Sequence, residues 1–72
     1  MPPIPVDSTT LSAVAYDAYQ QLLQLEFRDH SIYRYFNIPP KIHERLMRAP
    51  SKGQYFNNAI RGRFPFVQAS LK

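Results

Sequence analysis

The 72-residue chain has no cysteine and no tryptophan, only two glycines, and no acidic residue after Glu44. Without cysteine there can be neither a disulfide nor a thiolate metal cage to brace a small core, and a reducing, cytoplasmic setting is expected. A chain this short forms one domain at most and buries proportionally little surface, so its net stability should be small. No run of about 18 apolar residues is available to span a membrane, and MPPIPVDSTT lacks the basic and apolar regions of a secretory signal. No membrane partner is therefore expected.

Charge of one sign is what the chain has most unevenly. Residues 1–44 carry Arg28, Arg34 and Lys41 against Asp7, Asp17, Glu26, Asp29 and Glu44, a net of −2. Residues 45–72 carry Arg45, Arg48, Lys52, Arg61, Arg63 and Lys72 against none, a net of +6. Such asymmetry suits a polyanionic partner, and it equally suits a merely solvated basic surface.

Patterning along the chain predicts an α+β domain occupying residues 1–72, with the proline-rich residues 1–6 extended. LSAVAYD (11–17) reads as a first strand and DAYQ as a turn. Leu23, Leu25 and Phe27 alternate with Gln24, Glu26 and Arg28 as a half-buried strand does, and the aromatic IYRYF (32–36) supplies a third. The loop between these last two decides which way Tyr33 and Tyr35 face, because changing its length by one residue flips every following side chain. A two-residue Asp29-His30 loop would bury Arg34 without a partner. A three-residue loop instead sets Tyr33 and Tyr35 beside Leu23 and Leu25, with His30 in the left-handed region that His tolerates better than most residues. Leu22, Ile32 and Phe36 then lie on the outer face.

Pro40 suits the first turn of a helix running to about Arg48, with Ile42, Leu46 and Ala49 inward and Lys41, Arg45 and Arg48 on a neighbouring face. Pro50 breaks it. Ser51, followed three residues later by Gln54, makes a capping-box start for a second helix with Tyr55, Phe56, Ala59 and Ile60 inward, stopped by Gly62. The expected architecture is a three-stranded antiparallel meander followed by two short helices packed on one face.

The segments IPVDSTTLSAVAYD, LLQLEF, YRYFNIPP and APSKGQYFNNAIRGRFPF, in this order, resemble the KTSC domain. That short module occurs at the C-terminus of some lysyl-tRNA synthetases and as a free-standing bacterial or phage protein. The resemblance covers nearly the whole chain, including a central tyrosine-x-tyrosine at Tyr33 and Tyr35 and a Ser-Lys-Gly turn at Ser51, Lys52 and Gly53. At RDHS the chain departs from the family, whose members often carry Gly near His30. What the resemblance implies is RNA binding, from the synthetase context, by a module with no aminoacylation domain attached.

Residue chemistry points the same way. SKG is not a Walker phosphate loop, since the glycines, the spacing and the Lys-Ser order differ. A helix N-terminus beside Lys52 and Gly53 nonetheless presents free amides to an anion. Arg45, Arg48, Lys52, Gly53, Tyr55, Arg61 and Arg63 form the candidate nucleic-acid-binding set, with cations and aromatics interleaved and Arg61 and Arg63 flanking Gly62. The partner expected is a tRNA or another structured RNA. The rival is a protein partner or a homodimer formed through Leu22, Ile32 and Phe36. No catalytic or metal-binding set is expected, and no cofactor. His43 and Glu44 are adjacent and so point about 100° apart on a helix. Asp7 and Ser8 suit local turn hydrogen bonds.

Overall fold

The computed structural model describes residues 1–70; Lys72, counted among the cations above, lies outside them. Its elements are β1 (Ile4–Pro5), β2 (Leu11–Asp17), β3 (Leu22–Phe27), β4 (Ile32–Tyr35), α1 (Pro40–Arg48), α2 (Lys52–Ala59) and β5 (Phe66–Ser70). The strands form one antiparallel sheet in the order β1-β2-β3-β4-β5, with both helices inserted between β4 and β5.

The sheet thus has five strands where three were expected. The extended N-terminal segment is itself a strand over Ile4 and Pro5, which pair with Val14 and Ala13. Proline has no N–H to donate, so a proline-rich strand is tolerated only at an edge, and there it blunts further pairing. At the opposite edge, β5 pairs with β4.

The β3–β4 hairpin follows the parity argument. Leu25 faces Tyr33 and Leu23 faces Tyr35, while Arg34 stays exposed and donates Nε–H to Gln24 Oε1 at 2.8 Å. Phe27 N–H donates to the Ser31 carbonyl and His30 N–H to the Phe27 carbonyl, both at 2.9 Å, and His30 has φ 72°. Asp29 Oδ1 locks the loop by accepting from Ser31 N–H at 3.0 Å and Ser31 Oγ–H at 2.6 Å.

In β2 the register shifts between Leu11 and Ala13, leaving Ser12 as the extra residue of a bulge. The bulge keeps Leu11, opposite Phe27, on the same face as Val14, opposite Leu25, although three positions separate them. Leu11, Val14, Leu23, Leu25 and Tyr35 from that face meet Ile38, Leu46, Phe56 and Ile60 in one buried core. In α1, Pro40 occupies the first turn and Ala49, preceding Pro50, is extended (ψ 135°), which ends the helix. Ser51 Oγ accepts from Gln54 N–H at 3.3 Å and caps α2. After Ala59 the Arg61 N–H returns to the Phe56 carbonyl at 2.9 Å, and Gly62, at φ 77°, turns the chain back toward the sheet.

Tyr16 ties β2 to α1. Its hydroxyl donates to the Ile38 carbonyl at 2.6 Å and its ring stacks on His43, centroids 4.3 Å apart. Burial, with Asp17 adding to it, raises the Tyr16 phenol above its ordinary range, and burial pushes the His43 imidazole below 6.5. Well above pH 6.5 the ring is neutral whether the chain is folded or unfolded. As pH falls below that value the unfolded chain takes the proton first, so stability is lost until the folded imidazole also protonates. The melting temperature should therefore drop more steeply between about pH 7 and 5 in the wild type than in His43→Gln. Equal slopes would show that burial does not hold the imidazole neutral.

Candidate functional site

The three-residue hairpin loop that buries Leu23 and Leu25 also sends Tyr33 and Tyr35 to the helix side of the sheet. Tyr35 is 3% exposed and Tyr33 is half-buried. β5 then places Phe66 directly opposite Tyr35. The Phe66 ring stacks on Tyr35 at 5.2 Å and lies 5.6 Å from Tyr33, yet Phe66 keeps 51% of its surface in solvent. Phe27 meets Tyr33 edge-on at 5.6 Å and Phe56 at 5.4 Å, and Phe56 meets Tyr35 at 5.6 Å. Edge-to-face and offset contacts at these separations are the favoured geometries for aromatic pairs.

These five rings wall a surface cleft of about 590 Å³, completed by Thr10, Arg28, Asp29, Ser31, Arg61 and Gly62. The two arginines differ in freedom. Arg28 staples the hairpin to the N-terminal segment, donating Nε–H to the Ser8 carbonyl at 2.9 Å and Nη2–H to the Val6 carbonyl at 3.3 Å. Arg61 is exposed, and its one side-chain hydrogen bond among the described residues is long, Nη1 to Asn57 Oδ1 at 3.4 Å. Burial raises the Tyr35 phenol, the Arg61 guanidinium opposes that rise and the Tyr33 hydroxyl adds to it. Tyr35 is accordingly a neutral hydroxyl at physiological pH, within electrostatic reach of a cation and a second phenol.

The structure brings Tyr33, Tyr35 and Arg61 of the expected residues to this cleft. The others lie elsewhere. Arg45 and Arg48 are exposed on α1, where Arg48 pairs with Glu44 at 3.6 Å. Half-buried Lys52 donates Nζ–H to the Ala49 carbonyl at 3.3 Å, and exposed Arg63 donates Nε–H to the Asn58 carbonyl at 2.9 Å. Gly53 is buried against Thr10. Tyr55 is half-buried and, with Ser51, lines a separate cavity of about 350 Å³ on the α1–α2 side. Sequence reading missed Phe66, whose strand has little alternation to betray it, and Phe27, which it assigned to the core alone. Among the described residues there is no cluster of three metal-ligating side chains, and no helix is long and apolar enough to cross a membrane.

The KTSC domain model matches residues 7–64. The chain belongs to the KTSC domain family. Its fold superposes on the crystal structure of a KTSC domain protein from Yersinia pestis with a TM-score of 0.92, at 30% identity, covering 96% of this chain and 97% of that one. It is 42% identical over 64 residues to a lysine–tRNA ligase of Nostoc punctiforme, a match covering 89% of this chain and 11% of the ligase. A protein of Tsukamurella paurometabola is 35% identical over 63 residues, covering 88% of this chain and 94% of that protein. The KTSC module therefore occurs both within a much longer enzyme and at nearly full length in a short protein. The KTSC match ends before β5, so Phe66, which completes the cleft against the tyrosine-x-tyrosine pair, falls beyond the matched residues.

Proposed function

We propose that this KTSC domain is a non-catalytic accessory module that holds RNA, chiefly through its phosphates. The observation that carries the proposal is the distribution of charge. No acid follows Glu44, and among the described residues after it only Arg48 forms an ion pair. Arg45, Arg61 and Arg63 are exposed, so their charge reaches solvent. The lysine–tRNA ligase relative supports the reading, since that enzyme, by its name, acts on a tRNA. The histidines do not favour catalysis: His30 is exposed in a hairpin loop, and His43 is packed under Tyr16.

Titration of labelled single-stranded RNA at several salt concentrations tests this. Neutralising about four phosphates predicts a slope of log affinity against log salt near −3, and each Arg→Ala change at Arg61 or Arg63 should reduce its magnitude by roughly 0.7. Heparin competing no differently from RNA would leave only a generic basic surface, and no binding at low salt would reject the proposal.

One observation favours the rival, a protein-interaction or self-association module. Phe36 and Val67 are 37% and 48% exposed, and Leu22 and Ile32 are half-buried on the sheet face away from the helices. A chain that ignores RNA, sediments as a dimer and becomes monomeric as Phe36→Glu would establish that reading instead.

A further inference from the structure

We propose that the aromatic cleft seats a single unpaired RNA base, with Arg61 holding the adjoining phosphate. This rests on the RNA reading above and adds to it a site, a strandedness and a residue for each part of the nucleotide. The cleft's volume, about 590 Å³, lies inside the range of roughly 300–1,000 Å³ typical of small-ligand sites. Its wall offers a stacking surface, because Phe66 leaves half its area in solvent while Tyr33 and Tyr35 brace it at 5.6 and 5.2 Å. Base-aromatic stacking tolerates any base but requires one removed from a duplex, since paired bases are already stacked.

Polar groups that could meet a base edge also line the cleft. The engaged tyrosine hydroxyl of this fold is that of Tyr16; among the described residues those of Tyr33 and Tyr35 have no hydrogen-bond partner, and both tyrosines line the cleft. The cation is available as well. Arg28 is committed to two backbone carbonyls, whereas the one side-chain hydrogen bond of Arg61 among the described residues is its 3.4 Å contact to Asn57, and Arg61 sits on the turn made by Gly62. Asp29, the acid of the cleft, accepts both Ser31 donors on one oxygen, which anchors its carboxylate to the hairpin loop, while Arg61 supplies the cation. An apolar protein side chain could fill the same walls, but it would leave the guanidinium without an anion.

The test uses a uridine octamer carrying one 2-aminopurine, free and annealed into a duplex. The free strand should bind the wild type with its 2-aminopurine fluorescence quenched by stacking, and the duplex should bind more weakly without quenching. Phe66→Ala should weaken the single strand roughly tenfold, leave the duplex unchanged and leave the salt slope intact. Tyr33→Phe, which keeps the ring and the fold, should change the preference among homopolymer octamers. Octamer binding with no quenching on the wild type, and equal affinity in Phe66→Ala, would overturn the base-seating site and leave RNA binding standing. No octamer binding at low salt would overturn both.

Discussion

Tyr35→Ala is expected to remove about half of the domain's stability. The side chain is 3% exposed, and its ring meets Phe56 edge-on at 5.6 Å and Phe66 face-on at 5.2 Å, so truncation deletes contacts to α2 and to β5 together. Aromatic truncations in cores cost about 3–5 kcal/mol. A chain of this length has in total about 4–11 kcal/mol, at roughly 0.05–0.15 kcal/mol per residue. Tyr33→Ala should cost less, because that residue is half-buried and forms one wall of an open cleft. Tyr35→Phe should stay close to wild type, since the ring fills the core and the hydroxyl serves the cleft. Urea unfolding of the three variants checks the order. A Tyr35→Ala midpoint equal to that of Tyr33→Ala would mean that burial on this sheet face is not what sets the cost.

That both tyrosines point toward the helices was legible in the sequence, through a parity argument. Only a loop of odd length spares Arg34 from burial, and the chain has His30 where a left-handed residue is then required. The limits of α1 were legible because Pro40 and Pro50 punctuate them, and the start of α2 because Ser51 and Gln54 form a capping pair. The edge strands were not. β1 is two residues long among prolines, and β5 has an extra residue where its register shifts between the partners of Ile32 and Tyr33, so neither shows a sustained period of two. Missing β5 meant missing Phe66, and with it the cleft. The Tyr16–His43 stack and the burial of Ile38 depend on contacts between distant segments, which local periodicity does not encode.

Gly53 shows how far such a contact reaches, and Gly53→Ala is expected to destabilise the fold although it places a better helix former in α2. Helix propensity alone would favour alanine by about 1 kcal/mol. Against this, a Cβ at position 53 would collide with Thr10 Oγ1 and stand 2.8 Å from Thr10 Cβ. Thr10 is poorly placed to yield: Ser8 Oγ accepts from its N–H at 3.1 Å, and its carbonyl accepts from Arg28 N–H at 3.1 Å. The collision therefore falls on α2, and overpacking of this kind costs about 1–3 kcal/mol, enough to outweigh the propensity gain. Removing the obstacle should reverse the sign, so that Gly53→Ala becomes neutral or stabilising in a Thr10→Gly background, with a coupling energy above about 1 kcal/mol between the two positions. Since Phe56 on α2, Arg61 just after it and Thr10 itself all line the aromatic cleft, amide resonances of Phe56 and Arg61 should move in Gly53→Ala and return toward wild type in the double variant. Additive energies with unmoved resonances would show that α2 absorbs the extra methyl without displacement, and that Gly53 is not what sets the helix against the head of β2.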